Sequence, residues 1–600
     1  MTDQEIELLT ITTICSSLET ILKKCFGPNG LSVMLTTASG TLLITGSGTV
    51  ILQSLQLSHP IGRVLTNSII THCQHTGDNC KTFVFMLCRI LRRLCRELPK
   101  NGNRMDVVCA LAHLKHTVLP ALVCRSFIGE SMTVCCTQDN LEQVRGACSD
   151  MFSTTLQGRF NRPTAKHLAD VLVGMIFTEF DVADIPAVIE EYIRHFKEVH
   201  IEVTGSAIQS THFIEGVVVQ RDFKVHVPQA MDHGVRFMLA AFDVLDSSTS
   251  TSSDDIPSVI RVKSTDHLSN TFEWKLKHVE GFIQLLSSRG VNLLLCAGVV
   301  SDILAFRCHH AGISVVHAVD EDDMKRLALA FNVHIIYGWS ELLSSSVIGN
   351  ADLCKPMLLG THRWVLLSPP AVTMRRCTRQ LSRQLIVCAP TAGVCSQVAS
   401  ALRACLKCAR MLFDMSVLCD GAGLMWSVPC TEHSHLTKET GNMDTYDIPA
   451  EVHTTFDSRT TTGNSHSSRT HPHCAFIPAG GTFETTLYKA LQQYKEQCNN
   501  TTLSHAADLL QHGLQSVSGH LAQNSHTPSA ARPLVAAAMA MNHTRQDGVS
   551  SSVIEPLASK VVLLHDLLSL LQQLLRVDKL VSVRRLCPQN DTQSDSEDSF

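Results

Sequence analysis

The chain lacks a charge of one sign. Its 600 residues carry 50 Lys and Arg against 55 Asp and Glu, a formal net charge of −5. No long basic run offsets that near-balance, so the sequence offers no basic face for nucleic acid. An uninterrupted apolar stretch is also missing. The most apolar late run, VVLLHDLLSLLQQLL, is broken by His565, Asp566, Gln572 and Gln573. It reads as a helix burying one face, with no membrane insertion. The first residues, MTDQEIELLTITTICSSL, show no basic flank and no small-residue cleavage site, so no secretion signal is read there. The expectation is a cytoplasmic, reducing setting, in which the 24 cysteines are mostly buried free thiols. Zinc spacing is lacking too. His72, Cys73, His75 and Cys80 have no matching second half, nor do Cys405 and Cys408, nor His471, His473 and Cys474. No tandem repeat is found.

What is present is globular. Hydrophobic residues make up 44% and charged ones 18%, which excludes wholesale disorder. The length exceeds one compact core, so roughly two to four domains are expected. Residues 8–26 show helical periodicity and stop at Phe26-Gly27-Pro28-Asn29-Gly30. The runs LSVMLTT and TLLIT, joined by Ser39-Gly40, predict a hairpin. Gly46-Ser47-Gly48 leads into a helix start. After the turn at Gly77-Asp78, KTFVFMLCRILRRLCREL places Leu87, Ile90, Leu91 and Leu94 on one face and the arginines on another.

Residues 104–200 read as mainly helical. From about 205, apolar strand-like runs (GVVVQ, VRFMLAAFDV, VNLLLCA, GISVVHAV) alternate with helical stretches, implying an α/β unit. It contains the polar tract DSSTSTSSDD. Helical pattern returns at 393–415. Residues 427–473 read as an exposed polar insertion, and after Ile477-Pro478-Ala479-Gly480-Gly481 the chain is helical to about 576. Helices at both ends around an α/β middle suggest one discontinuous domain with the middle inserted.

Four passages, in order, resemble the group II chaperonins, the family of the cytosolic TRiC/CCT ring and its archaeal relatives. They are FGPNGLSVML through TLLITGSGTVILQSLQLSHP; HTGDNCKTFVFMLCRIL; FIEGVVVQRDF with VNLLLCAGVVSDILAFRCHHAGISVVHAVDEDDMKRLA; and IPAGGTFE with IEPLASK and LLRVDKLVSV. The polar insertion, the Ser/Thr tract, the SEDSF end, THRWVLLSP and GGTFETTLYKAL are similar to the Bardet–Biedl chaperonin-like branch. The resemblance implies an α/β multi-domain fold with helical equatorial, small intermediate and α/β apical domains. The expected divisions are 1–130 and 400–586 equatorial, the latter carrying the insertion 427–473. Residues 131–204 and 346–399 would be intermediate, 205–345 apical and client-binding, and 587–600 a disordered acidic tail. It further implies assembly of the BBSome, which serves primary cilia, with sibling Bardet–Biedl chaperonin-like subunits, TRiC/CCT subunits and a BBSome subunit client as partners. It adds centrosome, basal body and cilium to the cytoplasmic expectation.

The family's cofactor is ATP with Mg²⁺. Binding it takes backbone N–H groups at tight turns and a carboxylate for the metal. By resemblance, Gly27, Pro28, Gly30, Gly48, Thr49, Gly77, Asp78, Asn79, Cys80, Lys81 and Thr82 face the phosphates. Asp78 holds Mg²⁺, and Gly480 and Gly481 line base and ribose. Three departures matter. The family's Gly-Asp-Gly-Thr-Thr reads Gly77-Asp78-Asn79-Cys80-Lys81 here. Asn79 tolerates the left-handed backbone a glycine would adopt, but two hydroxyls are gone, and Lys81 either substitutes a positive charge or points to solvent. Two further family carboxylates fall on Ser47 and Ala404. Neither can orient an attacking water, and losing one such group costs ~10²- to 10⁴-fold in rate. The expectation is an assembly factor that binds ATP with weak or no hydrolysis. The alternatives are an active ATP-hydrolysing folding subunit and a nucleotide-free structural adaptor.

Overall fold

The computed structural model describes residues 2–5, 7–27, 29–36, 42–97, 104–128, 132–135, 140–177, 184–228, 234–242, 265–338, 341, 347–370, 383–414, 473–524 and 553–582. Pro28, the Ser39-Gly40 turn, the tract at 246–255, the insertion except His473, and the tail 587–600 lie outside the described residues.

The first core joins side chains from residues 11–127 to side chains from 475–575. Its centre is helix Cys80–Glu97, in which Phe83 to Cys88, Ile90, Leu91 and Leu94 are all buried. Helices Leu8–Leu22, Thr501–Gln523 and Leu557–Arg576 pack around it. The two ends of the chain also meet through their backbone: strand Thr2–Glu5 pairs antiparallel with Lys579–Ser582. One run, Arg104–Phe127, is long and apolar enough to cross a bilayer. In this fold Val108, Leu111, Leu114, Val118, Leu119, Val123 and Phe127 point from it into the first core.

The second core lies under helices Leu141–Leu156, Arg162–Phe177 and Ile185–Arg194, closed by helix Ala392–Phe413. The expected division at 399/400 falls inside that single helix. Its Val398, Leu402, Cys405, Leu406, Ala409 and Leu412 all bury into this second core.

The α/β unit is a five-stranded sheet ordered Ile348–Ala351, Val235–Ala240, Leu293–Cys296, Ser314–Val316, Phe223–Val225. The three central strands are parallel and the two edges antiparallel. Side chains alternate between faces, as the pleat requires. Met238, Leu294, Cys296 and Val315 enter one core, while Phe237, Leu239, Leu293, Leu295 and Val316 enter the other. Helices Thr265–Ser288, Asp302–His310 and Glu321–Phe331 connect and cover the strands.

Two segments expected to be helical contain strands. Met132–Cys135 and Ile554–Pro556 both pair with His473–Pro478. Each is a strand of three or four residues whose partner is remote in sequence, so no local period announces it. The same pairing takes His473 out of the expected insertion and into a sheet.

Candidate functional site

Four turns are brought together around Asp78. The first follows helix Leu8–Leu22, which tightens into a 3₁₀ turn at Lys23–Cys25. Gly27 then takes φ +85° and Gly30 N donates to the Gly27 carbonyl at 3.0 Å. A Cβ on Gly30 would stand 2.6 Å from the Cys25 carbonyl oxygen, so only glycine fits. Asn524 Nδ2 ties the turn down, donating to the Lys23 and Phe26 carbonyls at 2.7 and 2.9 Å.

The second turn is Gly46-Ser47-Gly48, which opens helix Gly48–Ser54. It lies directly on the start of helix Cys80–Glu97. A Cβ on Gly48 would be 2.9 Å from Cys80 Sγ and 3.1 Å from Lys81 Cγ. Thr49 hydrogen-bonds the Cys73 thiol, which in turn bonds Cys80. Cys80 thus faces a thiol and hydroxyl cluster beneath the turn. Thr82 is buried in the first turn of its helix.

The third turn closes helix Pro60–Thr76. Gly77 has φ +84° and its N–H bonds the Cys73 carbonyl. Asn79 has φ 71°, the left-handed conformation required of it, and its side chain donates to Ser559 Oγ at 2.6 Å. Asp78 between them is exposed. Helix Ala392–Phe413 presses on this turn: a Cβ on Gly77 would be 2.5 Å from the Ala404 oxygen and 2.8 Å from Lys407 Cβ.

The fourth turn is Gly480-Gly481, with φ +91° and +102°. Gly480 has open space where a side chain would stand, and Gly481 begins helix Thr482–Gln497. Thr482 Oγ1 and Ser518 Oγ are buried without a hydrogen-bond partner among the described residues. Behind this turn, Lys560 Nζ sits between Glu484 Oε1 at 2.9 Å and Glu555 Oε2 at 3.1 Å. Ser559, the partner of Asn79, adjoins Lys560 and so links the third turn to the fourth. Burial pushes the Glu555 carboxyl up to about 7 against the pull of Lys560, and the charges of Glu484 and Asp78 add to the push.

Lys81 does not point to solvent. It is half-buried, and its ammonium donates to the Cys25 carbonyl of the first turn. Burial, and then the nearby Arg159 guanidinium, hold its pKa below the usual lysine range, while Asp78 acts the other way. Gly46 packs against Gly158, which brings Arg159 to the site. Lys407 is likewise lowered by burial and by the like charges of Arg403 and Arg410.

The donor set is of the kind that takes a phosphate-bearing ligand. Left-handed glycines free backbone at three of the four turns, Lys81 and Arg159 bring positive charge near the exposed Asp78, and hydroxyls without a partner among the described residues line the fourth turn. Asp78 is the residue that would hold a metal on such a ligand. At the two positions where the family carries a carboxylate to orient water, this chain has none. Ser47 caps the second helix with its backbone alone, and Ala404 contributes a carbonyl that rests on Gly77. The thiols are inert: burial raises Cys405 well above the usual range and Cys408 to about 12.

Sequence reasoning missed Arg159, Lys407, Ser518, Ser559 and the Lys560–Glu484–Glu555 trio. Glu484, Ser559 and Lys560 stand in runs already singled out, so a charge of each sign in an apolar context was the available signal. Arg159 carried none.

A model of the TCP-1/cpn60 chaperonin family matches residues 18–444. The chain is 24% identical over 422 residues to the BBSome complex assembly protein BBS10 of Homo sapiens, covering 67% of this chain and 57% of that protein. The Pongo abelii protein of the same name is 23% identical over 459 residues, 72% of this chain and 62% of that one. Thermosome subunit alpha of Archaeoglobus fulgidus is 23% identical over 370 residues, 59% of this chain and 62% of that subunit. The chain therefore spans about three fifths of the length of these relatives.

Proposed function

This chain belongs to the TCP-1/cpn60 chaperonin family, and from that premise we propose that it is a chaperonin-like factor for assembling the BBSome. The similarity to proteins named for that role supports the reading. On it, the first core is the equatorial domain, the second core the intermediate domain, and the five-stranded unit the apical domain that meets a BBSome subunit client. Sibling Bardet–Biedl chaperonin-like subunits and TRiC/CCT subunits are the proposed partners. The proposed setting is the cytoplasm near the basal body and cilium, where the assembled complex serves cilium formation and trafficking.

The reading includes ATP binding with weak or no hydrolysis. The observation that carries it is the pairing of three turns that keep left-handed glycines with two vacated carboxylate positions. Gly27, Gly77, Gly480 and Gly481 keep left-handed backbone, whereas Ser47 and Ala404 offer nothing to activate water. When bound, Mg²⁺ would neutralise phosphate charge at Asp78. The protein's own residues bind and orient: backbone N–H groups meet the phosphates, and the Gly480-Gly481 turn leaves room for the sugar and base.

The test is ATP titration paired with single-turnover phosphate release, on the wild type and Asp78→Ala. Binding without turnover supports the reading. Release at ordinary chaperonin rates, abolished by Asp78→Ala, makes this an active folding ATPase instead. Absence of binding leaves a structural adaptor.

A further inference from the structure

We propose that Lys81, backed by Arg159, supplies the positive charge a divalent cation would otherwise bring to the phosphates, so that this site takes a nucleoside triphosphate without requiring a metal ion. The inference rests on the nucleotide-binding reading above and concerns what neutralises the ligand.

Its basis is where Lys81 goes. The side chain leaves the first turn of helix Cys80–Glu97, passes beneath Gly48, and ends on the carbonyl of Cys25. It therefore touches three of the four turns. Gly48 is needed for that path, since a Cβ there would come within 3.1 Å of Lys81 Cγ. Gly30 is needed at the far end, where it leaves the Cys25 carbonyl uncovered. The ammonium is thus tethered where the turns converge. An ammonium has three N–H donors, and the Cys25 carbonyl engages one. Among the described residues no partner is seen for the other two, which can serve an anion.

The charges around it agree. Asp78 is the exposed carboxylate of the site, and its charge and that of Arg159 both act on Lys81. Lys407 stands on the other side of Gly77. A carboxylate with resident cations attracts a metal ion less than a bare one does. A triphosphate entering here meets an excess of positive charge without bringing its own. The like charges of Lys81 and Arg159 oppose each other until an anion arrives, so the ligand relieves a repulsion that the empty fold contains.

The experiment is isothermal titration of the full-length protein with ATP, first in excess EDTA and then in Mg²⁺. Wild type, Lys81→Met and Lys81→Arg are compared. Wild-type affinity is expected to change by less than about threefold between the two buffers. Lys81→Met is expected to weaken binding in EDTA by about tenfold or more, the size of one charge-assisted hydrogen bond, and Lys81→Arg to retain it. Wild-type binding that appears only with Mg²⁺ overturns the inference and leaves the nucleotide site standing. Lys81→Met binding as wild type does in EDTA also overturns it. No binding by the wild type in either buffer overturns the nucleotide reading itself. Should Lys81→Met fail to fold by circular dichroism, the wild-type comparison of the two buffers decides alone.

Discussion

The carbonyl oxygen of Ala404 lies 2.5 Å from the point where a side chain on Gly77 would begin. Helix Ala392–Phe413, which buries its other faces in the second core, therefore bears directly on a turn of the first. Any shift of that helix moves the backbone on either side of Asp78.

Gly77→Ala is expected to lose both stability and ligand binding. The alanine would have to hold φ near +84° and displace the Ala404 carbonyl. Left-handed strain and overpacking together cost about 2–5 kcal/mol. Chemical denaturation would measure the loss. An unchanged midpoint would show that the helix yields and does not bear on the turn.

Lys560 is one buried cation serving two carboxylates, the buried Glu484 and the partly buried Glu555. Lys560→Met leaves Glu484 and Glu555 facing each other and is expected to cost about 3–5 kcal/mol. Glu555→Gln behaves differently, with a sign set by pH. Its carboxyl is raised to about 7 in the fold, above the ordinary glutamate value. The stability it contributes is complete below the ordinary value and is lost as pH rises through about 7. Relative to wild type, Glu555→Gln should gain on the order of 1–2 kcal/mol between pH 5.5 and pH 8. Paired denaturation curves at those two pH values check it, and a gain toward acid would contradict it.

Glu19 gives the opposite limb. Burial raises its carboxyl, but hydrogen bonds from His520 and Cys88, with the Arg92 charge, outweigh that and hold it at about 2. His520 Nε2 is 3.0 Å from Glu19 Oε1. Asp566 is held at about 2 by His565 and His72 against the same burial effect. For both, the stabilisation is present above the ordinary carboxylate value and lost as pH falls toward 2. Glu19→Gln should cost about 1–3 kcal/mol at pH 7, with the difference from wild type shrinking between pH 4 and pH 2. Melting temperature against pH measures it, and a constant gap would show that hydrogen bonding without charge accounts for the loss.

Helix Asp302–His310 presents Phe306 at 61% exposure, beside Val299 at 73% and Ile303 at 37%. This apolar stripe lies on the unit proposed to meet the client. Phe306→Ser should leave stability within about 0.5 kcal/mol of wild type while weakening capture of a BBSome subunit in a pull-down. Undiminished capture would move the client surface elsewhere.

Much of the fold was legible because its signals are local. The hairpin, the amphipathic helix from Cys80, the alternation of strand and helix after 205, and the meeting of the two ends followed from periodicity and turn residues. Asn79 was legible as a left-handed position because few side chains tolerate that conformation. The short strands Met132–Cys135 and Ile554–Pro556 were not, since they exist only through pairing with the remote strand His473–Pro478. The division expected at 399/400 falls inside helix Ala392–Phe413, because periodicity alone does not say which core each face of a helix meets.

The sequence by itself determined which residue types are available at the site. It placed glycines at the four turns, left one carboxylate at Asp78, and removed others at Ser47 and Ala404. These are facts of composition and order, and no packing alters them. Only the tertiary structure decided what Lys81 does. Read along the chain, it is one more cation at a helix start, free to point outward. In the fold, the missing Cβ of Gly48 and the uncovered carbonyl of Cys25 give its ammonium a path inward and a partner. Residues 25, 48 and 81 meet because three separate turns close on one another, and Arg159 joins them through the packing of Gly158 on Gly46, all of it across cores that no local window of sequence contains.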